Sequence, residues 1–194
     1  NRAQANPHAT VCGGSTNTAS GQKSFIGGGE NNTNAGPRGV IIGGGQNSCD
    51  ASADDAVICG GNSNTANSAK SFVSGGKRGT TRSIVGYHVF PACNIPIAAA
   101  AGITQSALLL LGRQTTDATA TVLTSDTSAA AATNQVTLPN NSAYSFSGEV
   151  IAGVTGAGNS ARWTIDGAIK RGANAASTAM VGTATVTMTH NDAG

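Results

Sequence analysis

The chain has 194 residues, of which 39% are hydrophobic, 4% aromatic and 10% charged, where an ordinary globular protein carries roughly 25% charged residues. Eleven basic and nine acidic side chains leave a formal net charge of +2, which gives no electrostatic footprint for a nucleic-acid backbone. Disorder is set aside because Val, Ile and Thr recur throughout, and the most apolar stretch, Ile95 to Leu111, is interrupted by Gly102, Thr104, Gln105 and Ser106 and is too short for a membrane-spanning helix. No secretory signal opens the chain.

Residues 1–9 read as an N-terminal connector, after which a repeat sets in. The pairs Gly13-Gly14, Gly27-Gly28, Gly43-Gly44, Gly60-Gly61 and Gly75-Gly76 are each preceded, two residues earlier, by Val11, Phe25, Ile41, Ile58 and Val73. Three residues after each pair stand Asn17, Asn31, Asn47, Asn64 and Gly79, and two further on the small residues Ala19, Thr33, Cys49, Ala66 and Thr81. The apolar slot and the small slot are always the same distance apart, so all length variation falls in one connection. That is the pattern of a solenoid, one coil per repeat, with insertions on one side. Asn and Gly share tolerance of the left-handed backbone region, so Asn17, Asn31, Asn47 and Asn64 are expected to turn the corners with positive φ.

Three of the four cysteines fall inside this repeat. Cys12 and Cys59 take the place held elsewhere by Ile26, Ile42 and Ser74, and Cys49 takes the small slot; all three are expected to be buried, unpaired thiols acting as small hydrophobes. Cys93 stands outside it. No Cys-x-x-Cys pair and no histidine at zinc-ligand spacing is present.

The units Phe25-Ile26-Gly27-Gly28-Gly29-Glu30-Asn31-Asn32 and Val57-Ile58-Cys59-Gly60-Gly61-Asn62-Ser63-Asn64-Thr65-Ala66 resemble the head repeats of trimeric autotransporter adhesins, and phage tail fibres use similar repeats. The resemblance covers about Thr10 to Gly86. It implies a left-handed parallel β-roll in which three chains pack side by side; the sequence itself says only that thin, aromatic-poor coils have little private core.

Residues 87–103, with Pro91 and Pro96 bracketing Cys93, read as a linker that cannot hold a regular ladder. Period-two alternation then predicts antiparallel strands over 104–194. Tyr144, Phe146, Val150, Ala152 and Val154 share one face. Trp163, Ile165 and Ile169 oppose Arg162, Thr164, Asp166 and Lys170, and Met180, Ala184, Val186 and Met188 oppose Thr183, Thr185, Thr187 and Thr189. Turns are expected at Gly156-Ala157-Gly158-Asn159 and Gly172-Ala173-Asn174, and shorter strands at Ala107 to Leu111, Ala120 to Leu123 and Gln135 to Leu138. The stretches Leu111 to Thr119, Leu138 to Phe146 and Ile169 to Ala176 resemble a module recurrent near the C-terminus of phage and prophage tail fibres; such modules run on for further strands, so the domain is expected to be incomplete at its C-terminus. The expected architecture is therefore all-β: a left-handed parallel β-roll over 10–86, then an antiparallel β-sandwich or jelly-roll-like module, in a homotrimer.

Chemistry is sparse. A polysaccharide-degrading enzyme needs two converging carboxylates, and Glu30, Glu149, Asp50, Asp54 and Asp55 read instead as solvated turn or strand residues. The aspartates lack the spacing of a calcium loop. His8, His88 and His190 stand near the ends or the linker with no Gly-x-Ser-x-Gly elbow, and Gly27-Gly28-Gly29 is followed by a strand where a phosphate loop needs a helix. Tyr144 and Trp163 lie on apolar strand faces and read as core. No catalytic residue, metal site or cofactor is expected, and no receptor-binding residue is located. The resemblance implies a structural tail-fibre protein of a virion, partnered with itself, with other tail or baseplate proteins and with a host-surface glycan or outer-membrane receptor, not with nucleic acid and not embedded in a membrane. A polysaccharide-degrading tailspike and a bacterial trimeric autotransporter adhesin are the alternatives.

Overall fold

The computed structural model describes residues 1–3, 8–117, 119–156 and 158–192. Ala118 and Ala157, residues 4–7 of the expected connector and the last two residues lie outside them. The chain divides into two compact units, Asn1–Val136 and Thr137–Gly194.

The first unit is a β-solenoid of about six coils. Ten two-residue strands alternate between two parallel sheets. One sheet joins β1 (Arg2–Ala3), β3 (Thr18–Ala19), β5 (Thr33–Asn34), β7 (Ser48–Cys49) and β9 (Thr65–Ala66). The other joins β2 (Thr10–Val11), β4 (Phe25–Ile26), β6 (Val40–Ile41), β8 (Val57–Ile58) and β10 (Phe72–Val73), then β11 (His88–Pro91) and β12 (Gln105–Leu108), the last antiparallel. A third row of single bridges runs Ser15, Glu30, Gly45, Asn62, Lys77. Register stacks Val11, Ile26, Ile41, Ile58, Val73 and Val89 in one column. From Ile26 to Val89 this column is fully buried, facing Ala19, Cys49, Ala66, Ala53, Ala56 and Ile84. Each buried Ile or Val contributes about 1.5–3 kcal/mol.

The second coil is shifted by one residue from the sequence expectation. Ile26, not Phe25, holds the inward slot, because the run Gly27-Gly28-Gly29 offers two alignments and the matching pair is Gly28-Gly29. Gly29 has φ +88, like Gly14, Gly44 and Gly61 at +82, and a Cβ on any of them would strike the next coil's carbonyl oxygen at 2.0 to 2.2 Å. Asn32 and Asn34, not Asn31 and Thr33, therefore fill the asparagine and small slots. The spacing then becomes regular: the asparagine slots lie 15, 15 and 17 residues apart, and Gly79 follows 15 after Asn64. The two extra residues sit in the connection at Asp50–Asp55, on the side predicted to absorb them.

The corner assignment also changes. Of the four asparagines expected at positive φ only Asn31 has it, at 55°, and it belongs to a column one residue upstream: Thr16 (53°), Gln46 (58°), Ser63 (59°) and Arg78 (59°). The asparagines that repeat, Asn17, Asn32, Asn47 and Asn64, are buried. Each Nδ2 donates to the glycine carbonyl four residues back and to one in the following coil, at 2.8–3.1 Å, and each Oδ1 accepts the backbone N–H of the next slot, at 2.7–3.0 Å. The repeated residue is selected for its amide, which satisfies buried backbone groups, while the left-handed corner faces solvent and accepts Thr, Asn, Gln, Ser or Arg.

The sheets also outrun the boundaries expected for them. Arg2 and Ala3 pair with Thr18 and Ala19, and the Asn1 Oδ1 accepts from the Asn17 amides at 3.3 Å, so residues 1–3 are part of a coil. His88–Pro91 pairs in parallel with β10, with Pro91 tolerated as its last residue. Beyond it, 92–104 folds over the last coil. Gln105 donates to and accepts from the Thr80 backbone at 2.9 Å, and Arg78 and Arg82 bond the carbonyls of Ala99 and Gly102. Of the expected short strands, only the first appears, as Gln105–Leu108; 120–123 and 135–138 form none. A knot around Asp126 and the buried Asn134 holds that segment instead, with the Asn134 amide donating to the Asp126 carboxylate at 2.9 Å.

The second unit is an antiparallel sheet: β13 (Ser142–Gly153), β14 (Ser160–Arg171), β15 (Ala179–Met180) and β16 (Thr185–Asn191), with a 3-10 turn at Ala175–Ser177 capped by Asn174. The predicted faces agree with the register. Tyr144 lies opposite Ile169, Val150 opposite Trp163, Trp163 opposite Met188 and Ile165 opposite Val186. Val154 lies past the strand end, where its N–H bonds the Asn159 carbonyl. Among the described residues no second sheet covers this apolar face.

Candidate functional site

In the solenoid the alternation of a strand dictates what the inward isoleucines leave outside. Phe25, Val40, Val57 and Phe72 flank them on one side and form a half-buried outward column continued by His88, whose ring lies 5.6 Å from that of Phe72. Cys12, Gly27, Ile42, Cys59, Ser74 and Phe90 flank them on the other. Ile42 is 54% exposed and Phe90 46%. Next to this second column lie Gly13, Gly28, Gly43, Gly60 and Gly75. A Cβ on Gly13 or Gly43 would meet nothing within 4 Å, and neither has left-handed backbone, so nothing inside the chain calls for glycine there. The result is a flat, apolar, glycine-edged face with rows about 4.8 Å apart.

In the sequence the two slots around each inward residue are both apolar or small, which leaves the outward member of each pair unmarked, and in the second coil the one-residue shift exchanges Phe25 and Ile26. The signal was present: coils carry two adjacent apolar residues, as in Phe25-Ile26, Val57-Ile58 and Phe72-Val73, and period two forces one of each pair outward. Two thiols follow the inward Val11 and Ile58 by one residue, so the same alternation turns them outward. Cys12 is exposed and Cys59 half-buried, contrary to expectation, whereas Cys49 is buried as expected. Burial, with Asp50 alongside, pushes the Cys49 thiol up to about 12, far from the thiolate that reactivity needs. All four cysteines are free.

The acidic candidates are occupied elsewhere. Glu30 sits in the third bridge row with its side chain exposed, accepting from the Asn31 amide at 3.4 Å. Asp54 and Asp55 clasp Arg38 at 2.7 and 2.6 Å; hydrogen bonding to Arg38 lowers the Asp55 pKa. Glu149 pairs with Arg162 across β13 and β14. His8 is exposed with left-handed backbone, and His190 is exposed near the end of β16. Tyr144 and Trp163 are half-buried on the apolar face of the sheet. Compared with models of protein families, with curated proteins and with solved structures, the chain matches none.

Proposed function

We propose that the chain is a non-enzymatic structural segment of a phage tail fibre, assembled as a homotrimer and contributing to adsorption on a host-cell surface. The observation that supports this best is the outward face of the solenoid: apolar columns edged by glycines that the isolated chain has no use for. A surface that gives up side chains at Gly13 and Gly43 suits the close approach of another backbone, and contiguous apolar area of this kind marks protein interaction sites. The repeat motifs themselves resemble those of trimeric adhesin heads and tail fibres.

Sedimentation velocity should give the mass of three chains. Ile42→Arg, at the centre of the face and pointing outward, should yield a monomer whose solenoid stays folded, and should make Cys12 and Cys59 alkylate faster than in the parent. A parent protein that is a stable monomer at micromolar concentration refutes the assembly. Incubation with host capsule or lipopolysaccharide checks the chemistry: release of shorter saccharides makes the protein a depolymerase.

A further inference from the structure

The sheet of the second unit has an irregularity where β14 meets β16. Arg162 lies opposite His190 and Trp163 opposite Met188, which leaves Thr189 without a counterpart. Bulges re-aim side chains and recur beside binding sites. Here the Thr189 hydroxyl donates to the Arg162 carbonyl at 3.2 Å, and a cavity of about 240 Å³ opens among Ile151, Ser160, Arg162, His190 and Asp192.

The polar groups around it are oriented from behind. The Asp192 carboxylate accepts the Ser160 N–H on one oxygen and the Ser160 hydroxyl, at 3.1 Å, on the other. These bonds, the backbone one foremost, lower its pKa and keep it an acceptor. The Arg162 guanidinium is steered by its ion pair with Glu149, which also offsets its charge while leaving further N–H donors. The imidazole of His190 adds ring nitrogens that can hydrogen-bond a hydroxyl. Ile151, 74% exposed, supplies an apolar wall.

This set discriminates among ligands. A phosphate or carboxylate meets Asp192 and Glu149, a cation meets Arg162, and an apolar group leaves polar atoms without partners. A neutral sugar uses all of it: one hydroxyl donates to Asp192, its neighbour accepts from Arg162 or His190, and the C–H face of the ring rests on Ile151. We propose that the cleft beside the bulge binds a neutral pyranose through a pair of adjacent hydroxyls, an inference that rests on reading the chain as a surface-recognition protein.

The full chain titrated with glucose, galactose, mannose and N-acetylglucosamine, followed by saturation-transfer and amide-shift NMR, should bind at least one saturably. Shifts should be confined to Ser160–Arg162 and His190–Asp192. Asp192→Asn and His190→Ala should each weaken binding about tenfold or more, His190→Gln should restore part of it, and Arg113→Ala, in the other unit, should change nothing. Unchanged amide spectra elsewhere show that the variants fold. Absence of binding to all four sugars, or binding that survives both variants, overturns the site. Adsorption to bacterial cells separates the two readings: adsorption by a protein that binds no sugar sinks the cleft alone, and saturable sugar binding without adsorption sinks surface recognition alone.

Discussion

The Asn47 amide ties three coils together. Nδ2 donates to Gly43 in its own coil at 3.0 Å and to Gly61 in the next at 3.1 Å, Oδ1 accepts the Asn64 N–H at 3.0 Å, and the Asn47 N–H goes back to Asn32 at 3.0 Å. Asn47→Ala strands the buried Asn64 N–H and the Gly43 carbonyl, while the Gly61 carbonyl keeps its bond from the Gly45 N–H, and unfolding in denaturant should show a loss of about 2–4 kcal/mol. Asn47→Gly should lose as much, because glycine supplies no amide. Gln46→Gly, at the left-handed corner, should be close to neutral, whereas Gln46→Val should cost about 1–2 kcal/mol from its branched Cβ. A neutral Asn47→Gly would hand the corner back to asparagine. The thiols divide in the same way. Cys49→Asp puts a charge in the core and should unfold the coils around it; Cys59→Asp should keep them folded and separate the copies instead, which circular dichroism and sedimentation distinguish. With its pKa near 12, Cys49 should resist alkylation at pH 8 while exposed Cys93 reacts.

A coil has an exposed upper and lower edge, and an unprotected edge invites another strand. The last coil is closed by Gln105, whose side-chain amide stands in for a further strand opposite Thr80, and by β12, which runs antiparallel and ends the second sheet. Gln105→Ala should raise hydrogen exchange at Thr80 by about tenfold or more and leave the Asn47 amide protected, since opening at a solenoid end need not travel inward. Protection at Thr80 that survives the change assigns the closure to β12 alone. The solenoid, the fixed distance from apolar to small slot and the side that takes insertions were legible in the pairs Val11 and Ala19, Ile41 and Cys49, Ile58 and Ala66, and Val73 and Thr81. Register at the second coil was not, because three successive glycines carry no side chain to choose between alignments. The closure was not legible either: Gln105 acts through a contact 25 residues distant, beyond any local period.

For the second unit the alternation in Tyr144, Phe146, Trp163, Ile165, Val186 and Met188 correctly assigned one apolar face, but alternation says nothing about what lies on that face, and the expected second layer is not there among the described residues. Met188 is 53% exposed and Val186 64%. A sheet of this size needs a packed face for independent stability, and polar residues on its other face, Thr164, Asp166, Lys170 and Thr185, leave only one side to cover. In the proposed homotrimer, copies of the sheet would supply the missing layer, and folding would then be linked to assembly by mass action. Trp163, the chain's single tryptophan, stands in the middle of that face and reports on it directly. Its fluorescence transition on heating should move to higher temperature as protein concentration rises over about a hundredfold range, and its emission should be blue-shifted only in the assembled state. Met188→Lys, opposite Trp163, should remove both effects while leaving the solenoid's circular dichroism intact. A Trp163 transition that keeps one temperature across that range shows that the sheet is stable without copies of itself and that the trimer, where it forms, is held by the solenoid face alone.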